Sequence, residues 1–144
     1  MRIYFPGVNG YLFPAKDLSI VPVRFVKNKS LYDRWQITTI FDDGKFWLSC
    51  TDDLGLVWYL FVDGRQNMRL DQEKKSMWKW NANRMMLILA DGAGEDMVMI
   101  PFGCTDAVRK ENVDTEYKLS CDSQKVREWI GYSLDLAHVE FQDE

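Results

Sequence analysis

The sequence predicts an α+β fold, in which an antiparallel, strongly twisted sheet of about six to eight strands carries a C-terminal amphipathic helix. Three apolar runs end in Asp-Gly, at Asp43-Gly44, Asp63-Gly64 and Asp91-Gly92. Asp-Gly after an apolar run favours a β-hairpin, because both residues tolerate a positive φ. Near the C-terminus, apolar residues recur with helical spacing instead. A small closed barrel with the helix at one end is the alternative arrangement.

The length of 144 residues fits a single globular domain over residues 1–144. A domain of this size buries roughly 68–70% of the surface that its unfolded chain exposes. It therefore needs neither a disulfide nor a metal to hold a core. No linker, low-complexity segment or convincing internal repeat divides the chain.

The first third of the chain predicts an irregular segment, an edge strand and a hairpin. Residues 1–17 are rich in Gly, Pro and aromatic residues, which indicates a packed segment without regular structure. Val21, Val23 and Phe25 alternate with other residues, and Pro22 places that strand at an edge because proline cannot donate to a ladder. Residues 35–41 and 46–50 then form the two arms of the first predicted hairpin, each with apolar residues on one face.

Two later strands are apolar at every position, which indicates strands covered on both faces. They occupy residues 56–62 and 85–90, and we expect both to be central in the sheet. A shorter arm holding Met68 and Leu70 follows the first of them. Residues 97–102 follow the second, and Pro101 indicates that this strand becomes peripheral near its end.

The C-terminal segment predicts an amphipathic helix, because its apolar residues recur at i, i+3, i+4, i+7, i+8 and i+11. The predicted buried stripe is Val126, Trp129, Ile130, Ser133, Leu134 and Ala137. The alternative interpretation ends the helix at Ile130 and makes residues 133–141 a last strand. One helix covers only part of a sheet face, so the doubly apolar strands need further cover. A barrel, a curled sheet or a homodimer would supply that cover, and we expect a homodimer.

The candidate binding residues are large aromatic and methionine side chains on the two apolar strands and the segment between them. Methionine is adaptable and common at apolar binding surfaces, and tryptophan supplies large contact area. We expect such a surface to bind a protein partner or an apolar small molecule. Its predicted residues are Trp58, Trp78, Trp80, Met85 and Met86.

The most economical functional hypothesis is a non-catalytic binding or interaction protein that acts through this apolar surface. One alternative is a small-molecule carrier with an internal apolar pocket, and a second is a small enzyme with a site built from turn carboxylates. The sequence contains none of the motifs GxxxxGK[ST], GxGxxG, GxSxG or HExxH. We therefore predict no catalytic residue, no metal ligand and no cofactor. Carboxylates of the turns, such as Asp42 and Asp63, could share one rim and hold a cation; conformational preference explains them more simply.

Charge and cysteine content restrict the class of partner and the compartment. The formal net charge of −4 argues against a duplex nucleic acid partner and against an anionic membrane surface. No apolar run approaches the roughly 20 residues of a membrane span. The three cysteines, Cys50, Cys104 and Cys121, form no CxxC pair, so we expect free thiols and a cytoplasmic location.

Overall fold

The computed structural model describes residues 1–14, 23–26, 34–64, 68–90, 97–102, 118–123 and 134–143. These residues form twelve β-strands and two short 3-10 turns. All the strand pairs are antiparallel, and they build two sheets, one of eight strands and one of four. The predicted antiparallel sheet is thus confirmed, and the second sheet is an addition that the sequence did not predict.

The smaller sheet joins the two ends of the chain. Its strands are β1 (Arg2–Phe5), β2 (Gly10–Pro14), β3 (Val23–Val26) and the last strand, Glu140–Gln142, in the order last strand, β1, β2, β3. The prediction of an irregular segment over residues 1–17 was therefore wrong for residues 1–14, whereas residues 15–17 lie outside the described residues. A 3-10 turn at Pro6–Val8 links β1 to β2, and Asn9 closes it with a φ of 49°. The period-two signal is weak there because most side chains of β1 and β2 are buried on both faces.

The larger sheet contains the predicted hairpins. Its strands are β4 (Gln36–Ile40), β5 (Phe46–Thr51), β6 (Val57–Val62), β7 (Met68–Asp71), β8 (Trp78–Asn81), β9 (Met86–Leu89), β10 (Met97–Phe102) and β11 (Lys118–Ser123). The order is β11-β10-β9-β8-β5-β6-β7. Strand β4 lies outside this order and also pairs with β5. As predicted, β6 and β9 are internal, because each has a strand on both sides. The strand predicted near Val23 is β3, at the edge of the smaller sheet.

The turns on either side of β5 have the same backbone hydrogen bonds. In the first, Phe41 N donates to Lys45 O at 2.8 Å and Gly44 N donates to Phe41 O at 2.9 Å. In the second, Asp52 N donates to Leu56 O and Gly55 N donates to Asp52 O. Gly44 and Gly55 have φ values of 84° and 82°, so a residue without a Cβ suits both positions. Each turn is a three-residue hairpin connection that ends in a glycine of positive φ.

The C-terminal segment differs from the predicted helix in the part that is described. Leu134–Ala137 forms a 3-10 turn, and β12 (Glu140–Gln142) follows and pairs with β1. No α-helix occurs in the described ranges. The predicted stripe from Val126 to Ser133 lies outside them. The alternative interpretation, a last strand over residues 133–141, agrees with the structure only at its end, because a 3-10 turn precedes the short strand Glu140–Gln142.

The larger sheet is open and curled rather than closed into a barrel. Its terminal strands, β7 and β11, approach within 8 Å at their Cα atoms, but no ladder joins them in the described part of the chain. Strand β3 of the smaller sheet lies within the same distance of both. The smaller sheet thus sits at the opening of the larger one, and the two sheets share a core.

Buried apolar side chains lie on both faces of the larger sheet. The core face carries Phe46, Leu48 and Trp78, which pack with residues of the smaller sheet such as Ile3 and Leu12. The opposite face, here called the outer face, carries a second cluster at the β9–β10 end. That cluster contains Met86, Val98 and Ile100, packed against Leu136 and Ala137 of the C-terminal 3-10 turn.

Candidate functional site

The five predicted binding residues do not form one exposed surface. Trp78 and Met86 are buried, with 0% and 2% of their surfaces exposed. Trp58 and Trp80 are half-buried and pack against the main core. Of the five, only Met85 is exposed. The all-apolar pattern therefore indicated internal positions of the sheet, where both faces of a strand are covered, and the binding role of these residues stays a prediction.

Trp58 and Met86 also lie on opposite faces of the larger sheet. Trp58 contacts the core-face cluster, whereas Met86 belongs to the outer-face cluster beneath the C-terminal 3-10 turn. The register of β8 and β9 explains the position of Met86. Trp80, which like Trp58 packs against the core-face cluster, pairs with Leu87, whereas Asn81 pairs with Met86. Adjacent residues of a strand point in opposite directions, so Met86 points to the outer face. A single pocket lined by both Trp58 and Met86 does not form.

Met85 lies in the turn between β8 and β9 and has an unusual backbone conformation. Its φ is 54°, a region that costs an ordinary L-residue about 1–2 kcal/mol. Its carbonyl oxygen accepts a hydrogen bond from Val139 N at 2.8 Å, which fastens the C-terminal segment to this turn. Asn81 supports the turn as well, because its Oδ1 accepts from the backbone N–H groups of Asn83 and Arg84.

The aspartates of the turns have conformational roles. Oδ1 atoms of Asp43, Asp52 and Asp71 each accept a hydrogen bond from the backbone N–H two residues further on. These Asx turns lower the pKa of each carboxyl: the backbone hydrogen bond dominates for Asp43 and Asp71, and the Trp58 indole dominates for Asp52. A general acid needs the opposite shift. In the described ranges, no group of three or more His, Cys, Asp or Glu side chains is arranged to hold a metal ion.

Lysines cover two rings on the outer face of β6. Leu60 points into the core, so Tyr59 and Phe61 point outward from the same strand. Lys74 Nζ lies 5.5 Å from the centroid of the Tyr59 ring, and Lys75 Nζ lies 4.6 Å from that of Phe61. Part of the cover that this apolar strand needs therefore comes from the connection between β7 and β8.

The most exposed strand in the described structure is β4, in which four of five residues are exposed. It pairs with β5 on one side, and no strand of the described chain pairs with its other side. Ile37, Ile40 and Phe41 are exposed, Ile40 at 70% of its surface. We define the edge surface as the edge of β4 that faces away from β5, together with these three side chains. Phe41 also contacts Trp47 edge-to-face, with 6.4 Å between ring centroids.

A bulge interrupts β4 within the edge surface. The pairing with β5 shifts between Thr38 and Ile40, and the intervening Thr39 has a φ of 58°. A positive φ is a genuine outlier for a β-branched residue. The bulge breaks the alternation of residues 35–41, so the single apolar face predicted for this arm is not continuous.

Sequence reasoning missed the edge surface. Residues 36–40 read as one arm of a hairpin, and hairpin signals do not say which arm will have a second neighbour. A second exposed apolar group lies at the other end of β5, where Leu54 and Leu56 belong to the turn and Val57 begins β6. It lacks the unpaired strand that distinguishes the edge surface.

A scan against protein families, a search of curated proteins and a search of solved structures found no match to this chain. In the described residues, no helix is both long enough and apolar enough to span a membrane.

Proposed function

We propose that this protein is a non-catalytic interaction protein that binds a protein partner through the edge surface. The observation that carries the proposal is the edge strand β4, with exposed Ile37, Ile40 and Phe41 beside it. The N–H and C=O groups on its outer side offer main-chain hydrogen bonds to an added strand. The apolar side chains offer contact area for the partner's alternate side chains, as in other cases of strand addition.

The composition of β4 supports this proposal. Natural proteins protect an edge strand with lysine, proline, inward-pointing charges or a covering segment. Gln36–Ile40 contains no lysine, no proline and no charge. The bulge at Thr39 is the one protective device in the strand. An edge with so little protection is better explained by a partner that covers it.

Two other functions that the sequence left open receive less support. The lowered pKa values of Asp43, Asp52 and Asp71 favour carboxylates that stabilise turns rather than carboxylates that transfer protons. A carrier with a pocket between Trp58 and Met86 would require residues on opposite faces of a sheet to meet.

Site-specific photo-crosslinking tests the proposal. A benzophenone amino acid replaces Ile40 in the full chain, and a second variant carries it at Leu54, which is 85% exposed at the other end of β5. We expect irradiation in expressing cells to give a discrete covalent adduct from position 40 and none from position 54. The absence of an adduct at position 40, or equal labelling at both positions, would contradict the proposal.

A further inference from the structure

Met1 shows how main chain binds at the edge of β4. Trp35, the residue before that strand, exchanges two backbone hydrogen bonds with it. Trp35 N donates to Met1 O at 2.8 Å, and Met1 N donates to Trp35 O at 3.1 Å. Such an exchange is the pairing of two opposite residues in an antiparallel ladder. Main chain from another part of the protein therefore already holds the position of a neighbouring strand at Trp35.

The open part of this edge begins two residues further on. The backbone N–H and C=O groups of alternate residues in a strand point to the same side. Those of Ile37 therefore point to the side on which Met1 binds Trp35, away from β5. No strand of the described chain pairs with β4 on that side. An added segment beside residues 37–40 would continue the ladder that Met1 begins.

The bulge brings two exposed isoleucines to one face of this open edge. Ile37 pairs with Leu48 of β5. Ile40 pairs with Phe46, because the bulge at Thr39 supplies one extra residue between them. Leu48 and Phe46 both belong to the main core, and directly paired residues lie on the same face of a sheet. The apolar core face thus continues through Ile37 and Ile40 to the surface, where nothing in the described chain covers them fully.

The other face of the edge is different in character. Gln36 and Thr38 lie there, since Thr38 pairs with Trp47, which alternates with the core residues of β5. Phe41 contacts the same tryptophan. The strand carries no charge over Gln36–Ile40, so a charged side chain of an added segment would find no counter-charge there. The edge therefore suits an uncharged segment that is apolar on one face and polar on the other.

We propose that the edge surface binds a short extended segment of another protein, uncharged and with apolar residues at alternate positions. The segment lies beside residues 37–40, in line with Met1, and its apolar side chains pack against Ile37 and Ile40. This inference rests on the proposed interaction function, whose partner it specifies. The homodimer expected from the sequence stays a separate prediction.

A peptide library tests this partner. Short random peptides displayed on phage are selected on the immobilised full chain, and the best binders are synthesised. We expect them to alternate apolar and polar residues and to lack proline in the bound stretch. Ile40→Lys should raise the dissociation constant of such a peptide at least about tenfold. The matched control Leu54→Lys adds the same charge at an exposed residue away from β4 and should leave the constant unchanged. Urea unfolding of both variants checks that each one folds.

Methylation of peptide nitrogens gives a second readout that needs no protein variant. Only alternate residues of an added strand donate their N–H groups to the edge. N-methyl groups on one alternate set of peptide residues should therefore abolish binding, and those on the other set should leave it. Equal effects of the two sets would contradict main-chain pairing.

The remaining outcomes separate this inference from the proposed function. A library without enrichment, or binders without alternation, overturns the inference. So does a dimer at micromolar concentration that Ile40→Lys dissociates, because the edge would then hold a second copy of the chain. If the library fails but position 40 still crosslinks to a protein in cells, the interaction function stands and the strand-like partner is wrong. If no adduct forms either, both are overturned.

Discussion

The indole Nε1 of Trp58 donates a hydrogen bond to Asp52 Oδ2 at 2.8 Å, across the turn that joins β5 to β6. The other carboxylate oxygen of Asp52 accepts from the backbone N–H groups of Leu54 and Leu56, each at 2.9 Å. One carboxylate thus fixes both the turn and the half-buried tryptophan beside it. Asp52 therefore acts as a structural residue of this turn.

The first prediction concerns the pH dependence of this contact. The Trp58 hydrogen bond, followed by those of the turn amides, holds the pKa of Asp52 below its ordinary value of 3.8. A carboxyl whose pKa is lower in the folded state stabilises the fold fully above the unfolded pKa. That contribution is lost as the pH falls through the folded pKa. We therefore expect Asp52→Asn to lower the melting temperature at neutral pH, with a difference from wild type that shrinks below about pH 3.8.

Asp53→Asn is the matched control, since Asp53 is exposed in the same turn. Thermal unfolding followed by tryptophan fluorescence between neutral and acidic pH provides the measurement. A gap between wild type and Asp52→Asn that stays constant at all pH values would show that the contact is not charge-dependent.

The second prediction concerns the strained residue of β4. Thr39 has a φ of 58°, and a β-branched residue in that region carries strain of about 1–2 kcal/mol. Glycine removes the strain but loses roughly 0.5–1 kcal/mol through its greater freedom in the unfolded chain. Thr39→Gly should therefore be neutral or stabilising by up to about 1.5 kcal/mol. Gln36→Gly, at an exposed position of the same strand where φ is not positive, should be destabilising by about 0.5–1 kcal/mol.

Urea unfolding of the two glycine variants compares the strained position with an ordinary position of the same strand. If Thr39→Gly destabilises the protein as much as Gln36→Gly does, the positive φ at Thr39 carries no strain.

The third prediction concerns the buried thiols. In the described structure Cys50 and Cys121 are buried thiols that form no disulfide, and Cys104 lies outside the described residues. Burial, with a smaller contribution from the charge of Asp52, raises the pKa of Cys50 to about 12. Only about one part in ten thousand of that thiol is the reactive thiolate at pH 8. We expect iodoacetamide to leave Cys50 and Cys121 unmodified in the native protein and to alkylate both in urea, as mapped by mass spectrometry of peptides.

Alkylation of Cys50 at the rate of an exposed thiol under native conditions would contradict its burial. A disulfide in freshly purified protein would contradict the free thiols and, with them, the predicted cytoplasmic location.

The hairpins could be predicted from sequence because their signals are local. Gly44 and Gly55 occupy positions that need a positive φ, so the residues themselves report the turn. The pairing of β1 with β12 could not be predicted, because it joins the two ends of the chain and no local pattern encodes it. The bulge at Thr39 could not be predicted for a different reason, because threonine disfavours the positive φ that it adopts there.

The candidate site could be predicted only in part for the same reason, because a local sequence pattern does not say which residues become neighbours in space. The sequence identified Trp78 and Met86 as unusual apolar residues, but their neighbours in space decide that both are buried. Conversely, Ile40 is an ordinary strand residue in sequence, and its exposure depends on whether another strand joins β4. The edge surface is thus a property of the sheet order rather than of any short motif.

The last prediction uses a polar group buried without a partner. Ser49 is fully buried in β5, and its Oγ has no hydrogen-bond partner in the described structure. A buried unsatisfied hydroxyl costs about 1–3 kcal/mol, and alanine removes it with little change in volume. We expect Ser49→Ala to raise the free energy of unfolding by about 1 kcal/mol, after a small loss in strand preference. Ser76→Ala is the matched control, because Ser76 is buried too, but its Oγ accepts a hydrogen bond from Val62 N at 3.1 Å. Removing that acceptor should lower the free energy of unfolding by about 1–2 kcal/mol. Urea unfolding of the two variants should therefore give changes of opposite sign, and a loss of stability in both would mean that Ser49 Oγ is hydrogen-bonded in solution.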